Sequence, residues 1–296
     1  MSAHLAEFAA LVGTDGPVTI AGFSTRGGAV PGVRAVRGPS GVRWHQADEM
    51  TVCCGAGTAV DELQEILAAS GQAVSLPGGG SVGGALAVGA SGVRRLGDGP
   101  VRDALLQAEY VSAAGEVVKA GGPTVKNVSG FDLCRLLVGS RGALGFLGEV
   151  ILRTRPLPAV SQWFVTEAID PFARFSRLYR PTSVLWDGTT MWALLEGHAD
   201  DVREQAVGWS ECDGPPALPP NRVAVRPSSV AALADPAAGV AGSFVAEVGV
   251  GTVHLSPGAR RPDSLLVTRS ERAAALARAI KSEFDPTGRL NPGVDV

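Results

Sequence analysis

Glycine is the residue whose placement first suggests chemistry in this chain: there are 39, concentrated between Gly22 and Gly148 in loops that join short apolar runs. Glycine costs backbone entropy, so such density marks turns with φ > 0 or a main chain pressed close to a ligand. Glycine loops at strand-to-helix junctions expose N–H groups, and several that converge can hold a diphosphate without many cationic side chains. A dinucleotide has that requirement. The nicotinamide fingerprint, Gly-x-Gly-x-x-Gly opening a helix with an acid about twenty residues on, is absent. The loop Gly22-Phe23-Ser24-Thr25-Arg26-Gly27-Gly28 does not match it, and no Gly-Lys-Ser or Gly-Lys-Thr supplies a Walker loop. Phosphate donors are therefore expected from three separated loops, with ordinary tight turns as the alternative reading of the glycines.

The elements that must carry these loops follow from spacing. Residues 5–12 have helical periodicity, 17–21 read as a short strand, and the loop 22–28 follows it. A strand is predicted over Met50 to Cys54, then a helix capped by Thr58 and running to Ala69, with Asp61 and Glu62 in its first turn and Gly71 closing it. The run from Gly78 to Gly92 is helix-sized, made of small residues, and lets another group approach its backbone. Runs 104–112 and 117–120 flank Ala113-Ala114-Gly115-Glu116 as a hairpin. Then come a helix from Leu133 to Val138, a glycine loop from Gly139 to Gly145, and a strand from Phe146 to Thr154. Pro156-Leu157-Pro158 favours an extended connector, so a domain boundary is placed there. Beyond it, strand-like runs (Trp163–Thr166, Met191–Leu195, Arg222–Val225, Phe244–Gly249) alternate with helix-like ones (Pro171–Tyr179, Ala199–Val207), which predicts an α+β cap. An amphipathic helix over Arg272–Phe284 stops at Asp285-Pro286. The expected division is 1–158, 159–270 and a returning segment 271–296.

Composition narrows the function classes. With 45% hydrophobic and 19% charged residues and a net charge of −3, the chain reads as soluble and globular. Twenty-six basic against 29 acidic residues leave no excess for a nucleic-acid backbone. The first twelve residues carry no basic cluster and too short an apolar run for a signal peptide or membrane span, so a cytoplasmic location is expected. Cys53, Cys54, Cys134 and Cys212 lack the two-residue spacing of a metal or redox site and are expected to be structural thiols. The four histidines form no metal constellation with neighbouring acids. His254, with Glu247 just before it, is the candidate catalytic base, against the alternative of a satisfied core histidine. Arg94, Arg95 and Arg102 can bind a carboxylate or an anionic cofactor, or can pair with Asp98 and Asp103.

Five sequence words in order carry a resemblance: Ser81-Val82-Gly83-Gly84-Ala85-Leu86-Ala87, the stretch Ser91 to Asp103, Val125 to Leu133, Gly139-Ser140-Arg141-Gly142-Ala143-Leu144-Gly145, and Asp285 to Gly293. Over residues 17–158 and 284–293 the chain resembles the FAD-linked oxidases of the vanillyl-alcohol oxidase type, and in particular the FAD-binding subunits of bacterial glycolate oxidase. The resemblance implies an α+β fold: a PCMH-type FAD-binding domain of two α+β subdomains with a smaller α+β cap domain. It further implies that Gly22, Ser24, Thr25, Arg26, Gly27 and Gly28, with Ser81, Val82, Gly83, Gly84, Ala90, Ser91 and Gly92, hold the diphosphate and ribityl chain of FAD. Arg94, Arg95, Gly97, Asn127, Gly130, Gly142 and Leu144 are further cofactor-binding positions on the same grounds, and Asn291 would border the flavin ring.

Relatives that attach flavin covalently often use a His in the first glycine loop, where this chain has Ser24, Thr25 and Arg26, so non-covalent FAD is expected. The implied activity is oxidation of a small 2-hydroxy acid or alcohol. An alternative is a non-catalytic FAD-binding accessory subunit, whose partners would be a homologous flavoprotein subunit and an iron–sulfur protein. A reductase fed by a nicotinamide cofactor remains a third reading.

Overall fold

A computed structural model describes residues 2–123, 132–240 and 242–295. They fall into two compact lobes. The first takes the residues up to Gly92, Pro100–Leu157 and those from Ser270 on, and the second takes Val93–Gly99 and Pro158–Arg269. In chain order the elements up to residue 156 are α1 (Ala3–Val12), β1 (Val18–Ile20), β2 (Arg34–Val36), β3 (Val42–Gln46), β4 (Thr51–Gly55), α2 (Val60–Ala68), β5 (Gln72–Val74), α3 (Val82–Val88), α4 (Arg95–Asp98), β6 (Leu105–Val111), β7 (Val117–Gly121), α5 (Leu133–Leu137) and β8 (Phe146–Pro156). Of these only α4 belongs to the second lobe, and α8 (Glu271–Phe284) returns to the first.

The first lobe holds two sheets. The larger runs β3-β4-β8-β6-β7 with β5 also on β8, every pairing antiparallel. Its central strand β8 is buried at seven consecutive positions from Phe146 to Leu152, as a strand covered on both faces must be. One face meets Leu63 and Leu67 of α2 and Ala85 and Leu86 of α3 in a single apolar cluster. The smaller sheet pairs β1 with β2 in parallel, and Leu290 from the C-terminal segment bridges to Val18. Phe8 and Val12 of α1 pack there with Val18, Val36, Phe146 and Leu290 as a second cluster. Burying such side chains contributes about 1.5–3 kcal/mol each.

Most first-lobe elements lie where periodicity places them. One cap does not: the N-cap of α2 is Ala59, with no side-chain bond. Thr58 instead donates Oγ1 to the Gly55 carbonyl (2.7 Å) and accepts from the Gly41 N–H (2.9 Å), so its hydroxyl fastens the preceding turn. Strands β2 and β3 have no counterpart in the sequence reading, because Arg34, Arg43 and His45 break any apolar alternation there.

The C-terminal segment is knotted into this lobe by two charged residues. Arg289, 5% exposed, donates to the carbonyls of Val12 (2.9 Å), Gly13 (3.1 Å), Asp15 (3.3 Å), Gly16 (3.0 Å) and Ala113 (3.0 Å). It thereby caps the C-terminal end of α1, where carbonyls lack helical partners and the helix dipole favours a cation. Asp285, 2% exposed, accepts from the main-chain N–H groups of Arg289 (3.0 Å) and Leu290 (2.8 Å) and from the Lys281 ammonium.

The second lobe is one antiparallel sheet of seven strands in the order β12-β9-β11-β10-β14-β15-β13. These are β9 (Val160–Glu167), β10 (Ser183–Trp186), β11 (Thr190–Gly197), β12 (Ser210–Cys212), β13 (Asn221–Ala224), β14 (Phe244–Glu247) and β15 (Thr252–Leu255). Helices α6 (Pro171–Phe175) and α7 (Ala199–Gln205) also belong to it. Phe172, Phe175 and Val202 from these helices pack on Phe164, Trp186, Ala193, Ala246 and Val253 from alternate strand positions. Alternation therefore turns Leu185, Glu247 and His254 to the opposite face.

The cysteines sit as the sequence suggests. Cys53 and Cys54 lie in β4, Cys134 is also buried, and Cys212 is half-buried. Burial first, then the Glu149 charge, pushes the Cys53 thiol up to about 11. Burial and the neighbouring Cys53 push Cys54 up to about 12. Burial, then Asp132, raises Cys134 to about 11. Roughly one such thiol in a thousand or fewer is ionised at pH 8, and the thiolate is the reactive form. Brief alkylation of the native protein at pH 8 should therefore modify Cys212 alone, read by peptide mass; labelling of Cys53 or Cys54 at the same rate would contradict this burial.

Candidate functional site

The glycine loops of the first lobe converge. The loop after β1 (22–28), the start of α3 (Ser81, Gly83, Gly84), the loop before β8 (Ser140 to Gly142) and Asn291 line one cavity of about 300 Å³. That is the low end of the usual range for ligand pockets, with room for a segment of a dinucleotide. Its walls combine glycine and serine main chain with the larger side chains of Phe23, Arg26, Arg141 and Phe146.

Each loop is fixed by a specific contact. Arg26 donates to the carbonyls of Pro77 (2.8 Å), Gly78 (2.6 Å) and Gly79 (2.5 Å), which ties the first loop to the turn before α3. Burial holds the Arg26 guanidinium below its ordinary value, with Asp61 acting in the other direction. Asn291 accepts the Ile20 N–H on Oδ1 (3.1 Å) and donates Nδ2 to the Arg141 carbonyl (2.6 Å), while its own N–H reaches Val18 (2.9 Å). Gly142, at φ +75, passes so close that a Cβ there would lie 2.6 Å from Asn291 Nδ2. Among the described residues, three of the five non-glycine residues with positive φ, namely Ser24 (58°), Arg141 (52°) and Asn291 (44°), border this cavity. Backbone strain of this kind gathers where a ligand is to be held.

The donors differ from the sequence expectation. The first amides of α3 are already engaged: Val82 N–H with the Thr58 carbonyl (2.9 Å), Gly83 with Ala56 (2.7 Å) and Gly84 with Ser81 Oγ (3.1 Å). What α3 offers is an absence of side chain, since a Cβ on Gly84 would meet only Ser81 Oγ, at 3.1 Å, and otherwise open space. Among the described residues, the N–H groups of Gly22, Phe23 and Ser24 find no acceptor, so the amide donors belong to the first loop.

Of the sequence-named positions, Gly22, Ser24, Thr25, Arg26, Gly27, Gly28, Ser81, Gly83, Gly84, Gly142 and Asn291 line the cavity. Val82, Ala90, Ser91, Gly92 and Leu144 do not. Val82 and Leu144 point into the apolar core, as residues that a short helix and a strand-entry loop must bury. Ser91 accepts the Val101 N–H on Oγ (3.1 Å), which makes it a turn fastener. Arg94, Arg95 and Gly97 lie in the second lobe. There Arg94 is committed to Asp98 (3.0 Å) and to both oxygens of Glu196 (2.7 and 2.8 Å), the ion-pair alternative of the sequence reading. Burial works against the Arg94 charge, but the Glu196 hydrogen bonds and the Asp98 charge prevail and raise its pKa. Gly97 is a packing glycine, because a Cβ would lie 2.7 Å from Thr182 Cα. Asn127 and Gly130 lie outside the described residues. The resemblance placed the segments Ser81 to Gly92 and Gly139 to Gly145 at the cofactor without singling out Ala87, Ser140 or Arg141, which line the cavity, and it did not name Phe146, which also does.

In the second lobe, Glu247 (2% exposed) and His254 (6%) meet through Oε1 and Nε2 at 3.1 Å, and an Arg222 nitrogen lies 3.7 Å from the same oxygen. Glu247 Oε2 is buried and, among the described residues, has no hydrogen-bond partner. Among the described residues no group of three or more His, Cys, Asp or Glu could hold a metal ion, and no helix is long and apolar enough to cross a membrane.

Comparison with known proteins agrees with this architecture. Residues 20–121 match the FAD binding domain family, and residues 223–294 match the family of FAD linked oxidases, C-terminal domain. Together the two matches fall on parts of both lobes, each short of half of the chain. The chain is similar to glycolate oxidase subunit GlcE of Escherichia coli (strain K12), 31% identical over 60% of this chain and 55% of that protein. It is also similar to D-lactate dehydrogenase of Archaeoglobus fulgidus (38% identical, over 37% of this chain and 26% of that one) and to glycolate oxidase subunit GlcD of Bacillus subtilis (36%, over 32% and 20%). The chain thus aligns with about half or less of the length of these relatives. Among solved structures, alkyldihydroxyacetonephosphate synthase superposes with a TM-score of 0.68 at 14% identity, covering 97% of this chain and 74% of that one, which establishes the PCMH-type α+β fold.

Proposed function

We propose that this chain binds one FAD without a covalent bond and acts as an FAD-dependent oxidoreductase, like a glycolate oxidase FAD-binding subunit, on a small 2-hydroxy acid or alcohol. The observation that carries the reading is the meeting of the loop 22–28, the start of α3, the loop 140–142 and Asn291 around one cavity, the first two of them inside the matched FAD binding domain. The residues fit such a cofactor: unengaged amides at Gly22 to Ser24, a Cβ-free wall at Gly84, and no His or Cys among the lining residues to form a covalent link. When bound, FAD supplies the acceptor for the substrate's hydride. Gly22 to Gly28 hold the diphosphate, Ser81, Gly83 and Gly84 give it room, and Asn291 keeps the surrounding loops in register.

His254 is proposed as the base that takes the hydroxyl proton. With Nε2–H donated to Glu247 Oε1, the carboxylate fixes the tautomer and leaves Nδ1 as the ring nitrogen that would accept the proton. The substrate class rests on relatives named for glycolate and D-lactate, both 2-hydroxy acids. A second reading, a non-catalytic FAD-binding subunit, is favoured by similarity to two proteins named as different subunits of glycolate oxidase. In either case the partners would be a homologous flavoprotein subunit and an iron–sulfur protein, in the cytoplasm. Purified protein should be yellow, release all its flavin on denaturation, and bleach anaerobically with glycolate or D-lactate. A colourless protein that FAD cannot reconstitute would sink the reading; yellow protein that bleaches only with a co-purified flavoprotein would select the second.

A further inference from the structure

We propose that Arg141 is the cation that meets the diphosphate of the bound cofactor and sets the preference for FAD over flavins without phosphate; this rests on the FAD reading above. Two arginines line the cavity, and they are differently committed. The guanidinium of Arg26 is held by three carbonyls of the turn before α3. The guanidinium of Arg141 is exposed and, among the described residues, makes no hydrogen bond or ion pair.

Its backbone, by contrast, is pinned. The Arg141 N–H donates to the Ala87 carbonyl (2.8 Å), and its carbonyl accepts from Asn291 Nδ2 (2.6 Å). Those bonds hold φ at +52°, a conformation that costs any residue with a Cβ and that glycine adopts freely. Gly139 and Gly142 in the same loop take positive φ as glycines. Position 141 therefore carries a long cationic side chain where the fold alone favours glycine. The ligand chemistry that matches is an anion with paired phosphates, since arginine's planar fork donates to such oxygens in pairs. The amides of Gly22 to Ser24 stand on the same cavity as the second set of donors.

The test is equilibrium binding of FAD and of riboflavin to apoprotein at low salt, with apoprotein melting as a readout independent of the cofactor. Arg141→Gly should weaken FAD binding by roughly tenfold to a hundredfold, as loss of a charge-assisted contact does. It should leave riboflavin binding within about twofold, flatten the salt dependence of FAD affinity, and melt no lower than the parent. Arg141→Lys should recover only part of the FAD affinity, through its charge without the paired fork, and should not relieve the backbone. FAD binding by Arg141→Gly equal to the parent's, or an equal loss for riboflavin, overturns the assignment and leaves the FAD reading standing. Failure of the parent protein to bind FAD at all overturns both.

Discussion

A Gly84→Leu protein is expected to purify colourless, with FAD affinity lower by roughly two orders of magnitude or more and a melting temperature within a few degrees of the parent's. Gly84 lies inside α3, and its φ is not in the left-handed region, so the backbone accepts a side chain. Replacing a helix-interior glycine with a good helix former contributes about 1 kcal/mol to the helix. The new Cβ meets only Ser81 Oγ, which must yield by a few tenths of an ångström, and the rest of the side chain extends into the cavity. An occupied cavity cannot hold the cofactor, and two orders of magnitude correspond to about 2.8 kcal/mol. Flavin titration followed by fluorescence, with melting of the same samples, separates the two effects. Normal FAD affinity in a folded Gly84→Leu protein would remove α3 from the site.

Asp285→Asn should be the most destabilising of these single exchanges, at about 3 kcal/mol, the range for breaking a buried ion pair while its partner stays in place. Asn keeps one acceptor, yet Asp285 uses both oxygens: Oδ1 toward the Arg289 N–H and Oδ2 toward the Leu290 N–H and Lys281. One of these sites would then face an amide donor. Burial opposes ionisation of Asp285, but the Lys281 and main-chain hydrogen bonds outweigh it and hold its pKa below the usual aspartate value. A depressed carboxylate contributes its full stabilisation above the unfolded value, near about 3.9, and loses it as pH falls through the folded value. The stability gap between parent and variant, measured by urea unfolding, should be flat above about pH 5 and narrow below about pH 4. A gap that widens on acidification would show that the carboxylate is not the stabilising form.

Local signals made the first lobe largely readable. Apolar periodicity placed α1, β4, α2, the β6–β7 hairpin, β8 and α8, since each buries one face or both in a continuous run. Strands β10, β12 and β15 went unread because three or four residues are too few for an alternation to stand out. Thr58 shows the limit of cap rules: a hydroxyl one residue too early found a better partner in the turn behind it. In the site, glycine density located the right loops but not their division of labour. Which amides are free depends on where Ala56 and Thr58 present their carbonyls to α3, and no local pattern encodes that. Arg141 was hidden for a related reason, because its significance lies in a backbone angle imposed by Ala87 and Asn291.

The clasp of Arg289 on the residues that follow α1 orders events during synthesis. Val12 to Gly16 leave the ribosome early and meet their guanidinium only after more than two hundred further residues have been translated. The nascent nucleotide-binding lobe must therefore wait with its rim unfinished while the interrupting lobe, whose contacts are all nearer in sequence, has the chance to fold first. The cavity that Asn291 lines is thus completed only when the last few residues have been made.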